Sequence, residues 1–487
     1  MQQLELFKIS RKEIPKKRKE VRMYRRNNLP SLFRRDENLS EIARVIKILA
    51  LEDEPLFKIK PKFDELVDRI EEKLIKYYSV GEGRPAYSIK RILGMLLIQR
   101  MYNINSDRAI CRLCLTDALF RYFIGCDSFR DPIPDDTTLV KFRKRLGKEG
   151  FREIFDELVK LIKESKKISN FRIIDATYIN AMGKKFGMIK FIKEGIKKAL
   201  KIIIEKNKEI GTILKKKFNY LRIKTKRSAR SICKKFIAEV SSVRGLPEKA
   251  KKIINALELS LKGNPVVNFL DLDARWGHKS STKKFAGYKG EIMIDKNGFV
   301  TSYRVLPGNV CEGKDISPLI EYEKNKLKLK IDEISGDRLY ASGPNLSYLK
   351  KKKIKGYFPN RTRYSQIDKF LIEGNKVVCP MGKLPKGSIS QENGTLFYWS
   401  AKECKKCPLK SKCVSPHESR KKVYLSELKS MKLEERRDKL KQRNQIERIF
   451  AHAVHHGARN NWYVGLNKCS IHLALVFTLL NLERLCN

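Results

Sequence analysis

The sequence predicts a mixed α/β protein in which an all-helical region precedes a core of strands and helices. Three patterns predict this arrangement. Apolar side chains recur at helical spacing over 61–165, strand-like runs flank the turn sequence "DKNG" at 295–298, and another apolar run ends at Asp337 before a further helix. Strands and helices that alternate in one region are typical of α/β folds. The 487 residues are enough for roughly two to four domains.

The charge of the chain restricts its class of partner. The sequence has 106 lysines and arginines against 55 aspartates and glutamates, which gives a net charge of +51. Because each neutralised phosphate releases bound counterions, a protein of this charge usually binds nucleic acid. A generically basic protein without such a partner is the alternative. Hydrophobic residues make up 41% of the chain, which argues against global disorder.

The N-terminal third of the chain divides into two predicted parts. Residues 1–60 are basic and have little apolar pattern, so we interpret them as an arm. Within 61–165, the sequence "DELVDRIEEKLIKYY" places Leu66, Ile70 and Leu74 on one helical face. This second part is therefore a predicted all-helical domain.

One helix of this domain is a candidate for DNA contact. Leu139, Phe142 and Leu146 share a face in "PDDTTLVKFRKRLG". Cations lie on the other faces, and the candidate DNA-binding residues among them are Lys141, Arg143 and Arg145. A solvated charged face is the alternative, but the charge of the whole chain favours phosphate contact.

Residues 183–263 are a predicted lysine-rich insert of two or three helices. An apolar stripe follows its first helix, and lysines occupy the remaining faces. The stripe consists of Ile189, Ile192, Ile196, Leu200 and Ile203. We interpret the insert either as a lid or as an arm that contacts DNA, and the pattern leaves both interpretations open.

The core is predicted in two pieces on either side of this insert, at 166–182 and 264–360. Its order is a strand that contains Asp175, the insert, a hairpin, a helix, a strand that ends at Asp337, a helix and a further strand. Residues 431–487 return to a helical pattern, and we expect them to complete the core.

Three carboxylates interrupt apolar elements of this core. Asp175 lies in "RIIDATYINA", a run otherwise suited to a buried strand, where an unpaired charge is costly. Asp337 follows a second strand, at the end where α/β sheets place ligands. Glu447 borders the apolar stripe of a C-terminal helix, about 60° from Phe450 on a helical wheel. Converging carboxylates repel one another unless divalent cations bind between them, and paired cations catalyse phosphoryl transfer. Asp295, by contrast, is a predicted turn residue.

The ordered motifs resemble those of the DDE transposases of bacterial insertion sequences, in the broad insertion-sequence-five superfamily. The segments that carry the resemblance are, in chain order, "DPIPDDTTLVKFRKRLG", "IIDATYINA", "DLDARWGHKSSTKKFAGYKGEIMID" with "RVLPGNVCEGKD", "ISGDRLYAS" and "QRNQIERIFAHAVHHGARNNWYVGLNKCSIHLALVFTLLNLERL". They extend from about residue 60 to the end of the chain, in the order found in that family. One departure is Leu339, which stands where the family often has a glycine.

The resemblance implies a ribonuclease H-like catalytic core in which Asp175, Asp337 and Glu447 are the catalytic triad and bind Mg²⁺ or Mn²⁺. It also implies binding to the terminal inverted repeats of an element, metal-dependent strand cleavage and strand transfer into target DNA. A basic pair often accompanies the family's glutamate, and here Arg443 and Arg448 occupy neighbouring positions that could contact phosphate. We further expect a homo-oligomer in the synaptic complex with DNA.

Two other functions fit the same residues. A transposase-derived chain without activity would be a non-catalytic basic DNA-binding protein. A related metal-dependent DNA nuclease would cut strands without joining them. The intact set of three carboxylates favours an enzyme over a binding protein.

Residues 361–430 contain a cysteine cluster in a segment that otherwise has an irregular pattern. Cys379, Cys404, Cys407 and Cys413 provide one C-x-x-C pair, a third thiol nearby and a distant fourth. Four thiolates suit a structural zinc ion, although a second C-x-x-C pair would be more specific. Reduced thiols without metal are the alternative. The resemblance favours zinc, because members of this group commonly carry a cysteine cluster here.

The sequence predicts a soluble protein. Its N-terminus lacks the apolar segment of a secretory signal, and apolar runs such as "IHLALVFTLLNL" are interrupted before they reach spanning length. Eleven cysteines without such a signal indicate a reducing compartment. We therefore expect a cytoplasmic bacterial protein that is associated with the nucleoid and not with a membrane.

Overall fold

A computed structural model describes most of the chain. The described residues are 40–49, 51, 53–78, 86–263, 266–279, 282–359, 370–373, 376–391, 394–414, 418–426 and 438–486. Most of the predicted arm at 1–60 therefore lies outside the described residues. The chain divides into two compact units, one of Met1–Leu158 with Ala474–Asn487 and one of Val159–Leu473.

The N-terminal region is helical, as predicted. Its helices are α1 (Glu41–Ile48), α2 (Pro55–Ile75), α3 (Ile89–Met101), α4 (Asp107–Thr116), α5 (Ala118–Phe123) and α6 (Asp136–Glu164). Side-chain caps begin several of them; the Ser88 hydroxyl, for example, accepts a hydrogen bond from the Arg91 amide at 3.3 Å. α6 is interrupted at Gly147, where φ is 56°, a left-handed conformation that glycine adopts without strain. Helical structure starts at Glu41, before the predicted boundary at residue 61.

A mixed sheet forms the centre of the second unit. Its strands are β1 (Phe171–Asn180), β2 (Arg275–His278), β3 (Lys284–Asp295), β4 (Val300–Pro307), β5 (Glu333–Gly336) and β6 (Lys355–Tyr357). The strand order is β2-β3-β1-β5-β6, and β4 also pairs with β3. β1 is antiparallel to β3 and parallel to β5, so the central strand has neighbours of both directions. The predicted mixed α/β core is confirmed.

The predicted hairpin is the antiparallel pair β3–β4, and Asp295 fixes its turn. One carboxylate oxygen of Asp295 accepts hydrogen bonds from the amides of Asn297 at 3.0 Å and Phe299 at 2.9 Å. The other oxygen accepts one from the Ser169 amide at 2.8 Å. The predicted turn role of Asp295 is therefore confirmed, and its charge is satisfied by backbone donors.

Further helices follow the strands and complete the chain. They are α11 (Ser317–Glu321), α12 (Gly343–Lys351), α15 (Asn444–His455) and α16 (Leu466–Cys486). One apolar cluster joins β1, β3 and β5 to α11 and α12 through Ile174, Met293, Ile334, Ile320 and Leu349. α16 is long and apolar enough to cross a membrane, with a mean hydropathy of 1.4, but 78% of its most apolar window is buried. Such burial is typical of a core helix in a soluble protein.

The lysine-rich insert is a helical bundle with its own core. The helical bundle consists of α7 (Met188–Lys206), α8 (Lys208–Lys217), α9 (Lys226–Ser241) and α10 (Glu248–Leu261). Its buried side chains include Ile192, Ile196, Ile203, Phe236 and Leu257. The sequence predicted fewer helices. Asn207 accounts for the extra division, because its side chain accepts a hydrogen bond from the Ile210 amide at 3.0 Å and begins α8 directly after α7 ends.

The segment predicted as irregular contains short strands and helices. They are β7 (Leu371–Glu373), β8 (Lys376–Val378), β9 (Gly387–Gln391), β10 (Gly394–Tyr398), α13 (Ala401–Lys406), α14 (Lys410–Cys413) and β11 (Lys422–Ser426). β7 and β8 form a hairpin, and β9, β10 and β11 form an antiparallel sheet. Sequence patterning missed these elements because each is six residues or shorter, too short for a clear hydrophobic period.

Candidate active site

Strand pairing places Asp175 and Asp337 side by side. Ile174 on β1 is the parallel partner of Gly336 on β5, and each aspartate is the next residue along its strand. Each carboxylate accepts a hydrogen bond from the amide that follows it, Asp175 from Ala176 at 2.7 Å and Asp337 from Arg338 at 2.6 Å. Asp175, in the middle of β1, therefore lies beside Asp337, which directly follows the carboxyl end of the parallel strand β5, where α/β sheets bind ligands.

The environment of Asp175 opposes its negative charge. Burial, together with the charges of Asp337 and Glu312, raises the pKa of Asp175 to about 6, although the Ala176 amide and Arg443 act in the opposite direction. A carboxylate that is buried beside other carboxylates is stabilised when a cation binds next to it. Asp175 is therefore suited to binding a metal ion rather than to a purely structural role.

Glu447 lies on the same cavity as Asp175. This cavity has a volume of about 670 Å³, and its lining includes Asp175, Glu312 and Glu447. Glu447 is exposed on α15, next to the buried residues Ile446 and Ile449. Glu447 therefore lies at the border of the apolar stripe, as the helical wheel predicted. We call this cavity the carboxylate pocket.

Three contacts hold α15 and the following residues against the sheet. The Arg443 guanidinium, one helical turn before Glu447, lies 3.3 Å from an Asp337 carboxylate oxygen. After α15, the Asn180 amide donates to the Arg459 carbonyl at 2.7 Å, and the Asn461 amide donates to the Asn180 carbonyl at 3.1 Å. The start of α15 is thus joined to Asp337 after β5, and the residues after α15 are joined to the end of β1.

Sequence reasoning missed a third carboxylate of the pocket lining, Glu312. Its Oε2 lies 3.4 Å from the Lys289 ammonium, and both side chains line the pocket. Neighbouring Glu291 is completely buried and accepts hydrogen bonds from the Tyr340 hydroxyl at 2.9 Å and the Gly313 amide at 3.4 Å. A lysine and a glutamate inside the apolar strand "YKGEIMID" were the signal that could have pointed to this cluster.

Cations and an aromatic ring form another part of the pocket lining. The Tyr178 ring has the Arg459 guanidinium carbon 4.6 Å and the Lys279 ammonium 5.2 Å from its centroid. All three side chains line the carboxylate pocket. The pocket therefore combines carboxylates that can hold cations with cations that can hold phosphate.

The predicted DNA-binding residues of α6 differ in what they contact. Lys141 is exposed, whereas Arg143 forms an ion pair with Asp107 on α4, with 3.1 Å between one of its nitrogens and Oδ1. The Arg145 guanidinium carbon lies 4.4 Å from the centroid of the Tyr78 ring. Lys141 and Arg145 are available to a phosphate, while the Arg143 contact ties α6 to α4. Arg448, on α15 of the second unit, is also exposed.

The four predicted zinc ligands surround one small cavity. Cys379, Cys404, Cys407 and Cys413 all line a cavity of about 40 Å³ beside Trp399. Backbone turns present the thiols: the Cys379 amide donates to the Lys383 carbonyl at 3.0 Å, and the Lys410 amide donates to the Cys407 carbonyl at 3.0 Å. All four cysteines are free of disulfides.

Comparison with protein families finds a transposase domain near each end of the chain. The family described as a transposase domain (DUF772) matches residues 44–145, and the family described as a transposase DDE domain matches residues 378–486. A search of curated proteins and a search of solved structures found no match. The two domains indicate that the chain is a transposase.

The same matches confirm the resemblance to DDE transposases of insertion sequences. The DDE match contains Glu447 and the four cysteines, and the DUF772 match contains Lys141, Arg143 and Arg145. Asp175 and Asp337 lie between the two matched ranges. The family suggests a DNA-cleaving enzyme that uses divalent metal ions.

Proposed function

We propose that this chain is the transposase of an insertion sequence, which binds the terminal inverted repeats of its element, cleaves DNA there and joins the ends to target DNA. The observation that carries the proposal is the pairing of Ile174 with Gly336, because it brings the carboxylates of Asp175 and Asp337 together. Glu447 lies on the same pocket as Asp175. We assign these three carboxylates as the catalytic triad.

We also propose that the core is ribonuclease H-like. The support is the strand order, in which β1 has the antiparallel hairpin β3–β4 on one side and the parallel strands β5 and β6 on the other. In this arrangement residues 175–178 of β1 and residues of α15 line one pocket, and Asp337 follows the strand that pairs with β1. The helical bundle is an insertion between β1 and β2, and the cysteine segment is an insertion between β6 and α15.

The carboxylates of Asp175, Asp337 and Glu447 would hold the Mg²⁺ or Mn²⁺ ions. The donor set fits, since these ions prefer carboxylate oxygens, and Asp175 is buried beside other negative charges. When bound, a pair of divalent ions activates the attacking water or 3′-hydroxyl and stabilises the leaving oxygen. Glu312 is a further oxygen donor on the same pocket.

Basic residues in and near the pocket would position these groups and the DNA. Arg443 contacts Asp337 and so orients that carboxylate. Arg448, which directly follows Glu447, is exposed and could approach a phosphate. Arg459 and Lys279 carry positive charge next to the carboxylates, and both are held against the Tyr178 ring. These cations would attract a DNA backbone into the pocket and hold its scissile phosphate near the triad.

DNA binding by the N-terminal helical region is part of the proposal. Lys141 and Arg145 would contact phosphates of the element end, and Arg143 would support them through its ion pair with Asp107. Because both ends of an element must be held together, we expect a homo-oligomer in the synaptic complex. The proposed location is the nucleoid of a bacterial cytoplasm.

Strand cleavage tests this function. The substrate is a duplex taken from an end of the element that encodes the chain, incubated with the full-length protein and Mg²⁺ or Mn²⁺. We expect nicking by the wild type and a loss of about 10³-fold or more in Asp175→Ala, Asp337→Ala and Glu447→Ala, which corresponds to about 4 kcal/mol of barrier. Glu205→Ala, an exposed acid of the helical bundle, is the matched control and should cleave normally.

The products separate the related functions. Joined strands in a target plasmid identify a transposase, and cleavage without joined products identifies a nuclease. Salt-sensitive binding without any metal-dependent cleavage would identify a non-catalytic DNA-binding protein. Wild-type cleavage by all three alanine variants would refute the assignment of the triad.

We further propose that Cys379, Cys404, Cys407 and Cys413 bind a structural zinc ion. The support is their common cavity beside the small apolar cluster of Phe370, Val377, Trp399 and Val423, which is too small to stabilise this segment alone. Metal analysis of the purified protein should find about one zinc per chain. Less than about half an equivalent, with all four thiols open to titration, would refute the site.

A C-x-x-C pair outside the cysteine segment provides the matched control for zinc binding. Cys111 and Cys114 lie on α4, where Cys114 is buried, and we expect them to be ordinary core thiols. Cys407→Ser should lower the zinc content and destabilise the cysteine segment, whereas Cys111→Ser should keep the zinc. Equal zinc loss in both variants would contradict the assignment.

A further inference from the structure

The surface of the helical bundle is strongly and unevenly charged. Residues 183–263 contain 24 lysines and arginines but only six acids. Several of those acids already have partners within the bundle, as Glu239 does with Lys217 at 2.7 Å and Glu205 with Lys201 at 3.9 Å. The remaining positive charge therefore has no internal compensation and is available to an external polyanion.

One helix concentrates this charge on a single face. On α9, Lys226, Arg230 and Lys234 follow one another at four-residue spacing, and Arg227 lies beside them within about 100° of the helix circumference. All four are exposed, and in the part of the chain that the structure describes none of them has an ion-pair partner. We call Lys226, Arg230 and Lys234 the α9 row.

The start of α9 is arranged for an anion rather than for isolated helix stability. Thr225 and Ser228 form the capping box with uncharged hydroxyls, and the first turn contains Lys226 and Arg227 but no acid. Cations at a helix N-terminus face the positive end of the helix dipole, which is unfavourable. A phosphate bound along the α9 row would remove this cost.

We propose that the α9 row is a second DNA-docking surface, which binds the phosphate backbone of duplex DNA outside the carboxylate pocket and without regard to sequence. The row spans about 12 Å along the helix axis, and duplex DNA carries one negative charge per about 1.7 Å of its axis. Several phosphates can therefore meet the row at once. The inference rests on the proposed function only in taking DNA as the polyanion.

The other faces of α9 argue for duplex DNA over other polyanions. Its aromatic residue, Phe236, is buried, so the exposed face has no ring on which an unpaired base of RNA or single-stranded DNA could stack. Its apolar residues Cys233 and Val240 are also buried in the bundle core, and Ile232 and Ile237 are partly buried and pack against that core. An apolar face for insertion into a membrane surface is therefore absent from this helix.

The test measures the salt dependence of binding to a duplex of random sequence that lacks the element ends. The full-length protein is titrated by fluorescence anisotropy between about 50 and 200 mM KCl. Each phosphate contact contributes about 0.9 to the slope of log K against log [KCl]. The variant Lys226→Gln/Arg230→Gln/Lys234→Gln should lose about 2.7 from this slope and bind at least about tenfold more weakly at low salt.

Two control variants make the result specific. Lys206→Gln/Lys249→Gln/Lys252→Gln removes three exposed lysines from α7 and α10 and should change the slope by less than about 1. Lys226→Arg/Lys234→Arg keeps the charge of the row and should bind as the wild type does. Circular dichroism confirms that each variant is folded, since glutamine is a good helix former.

The outcomes distinguish this inference from the proposed function. Equal salt slopes for the two triple-glutamine variants would overturn the inference. The positive charge of the whole bundle, and not the α9 row, would then determine the affinity for DNA. Loss of binding to anionic vesicles with unchanged DNA binding would overturn it too. If the wild type fails to cleave element ends but the α9 row still sets the salt slope, the proposed function fails and the docking surface stands. If cleavage is normal and the slope is insensitive to the row, the docking surface fails alone.

Discussion

Two groups of carboxylates lie on or against β1 and differ in how their negative charge is satisfied. Glu323 is fully buried, with one oxygen 2.6 Å from the Arg172 guanidinium and the other bonded to the hydroxyls of Thr301 and Ser302. Asp175, three residues after Arg172 on β1, accepts only the amide of its neighbour Ala176 within the described residues and lies near other acids. We call the first group the Glu323 cluster.

The difference teaches how to separate structural from functional acids. A buried carboxylate whose two oxygens both accept hydrogen bonds contributes to fold specificity and has little capacity left for a ligand. A buried charge that is left short of donors costs free energy in the unliganded protein, and a cation can repay that cost. On this criterion Glu323 has a structural role, and the environment of Asp175 fits the proposed metal ligand.

The largest expected effect lies in the Glu323 cluster. Glu323→Ala leaves the Arg172 guanidinium buried without its partner, which should lower the local stability around β1 by about 3–5 kcal/mol. Amide hydrogen exchange of β1 measures this loss. The double variant Arg172→Met/Glu323→Leu removes both charges and should recover most of the stability. A single variant as stable as the wild type would show that the pair is not structural.

The second-largest expected effect is stabilisation of the protein by metal binding, and only the carboxylate pocket should provide it. Mn²⁺ or Mg²⁺ at 100 times its dissociation constant stabilises the protein by about 2.7 kcal/mol, because it binds the folded state. We expect this thermal shift in the wild type and in Glu205→Gln but not in Asp175→Asn. An equal shift in Asp175→Asn would place the metal elsewhere and remove the distinction between the two clusters.

In the absence of metal, Asp175→Asn should stabilise the protein. The pKa of Asp175 is raised from 3.8 to about 6, so the ionised side chain is disfavoured in the folded state at pH 7. Removing the charge should therefore gain on the order of 2 kcal/mol at pH 7. Denaturant unfolding with chelator present measures the gain, and a loss of stability would mean that Asp175 is satisfied like Glu323.

The same shift predicts a pH dependence of definite sign. Between about pH 4 and pH 6 the folded wild type binds a proton at Asp175 that the unfolded chain does not, so its stability rises as the pH falls through this range. The advantage of Asp175→Asn should therefore be complete above about pH 6 and vanish near pH 4. A constant advantage over this range would contradict the assigned cause.

Charged residues that interrupt apolar strands were enough to predict two neighbouring aspartates. Where the sequence has no such interruption, it predicted less of the site and of the fold. Asp175 and Asp337 were predictable because each charge interrupts or ends an apolar strand. Glu312 was not, since it lies in a loop where an acid violates no pattern and only the ion pair with Lys289 links it to the pocket. The division of the bundle into four helices depends on one N-cap residue, Asn207. The spacing of apolar residues does not show that one helix ends and the next begins there.

The smallest expected effect tests the cations of the carboxylate pocket. Arg459→Gln removes one charge beside Tyr178, so DNA affinity should fall only a few-fold and the salt slope should fall by about 0.9. Arg338→Gln, at an exposed arginine directly after Asp337, is the matched control. A slope that falls equally in both variants would mean that phosphate is attracted to the whole rim of the pocket. A fall in Arg459→Gln alone means that the backbone passes over Tyr178, where a cation held against a ring faces the carboxylates.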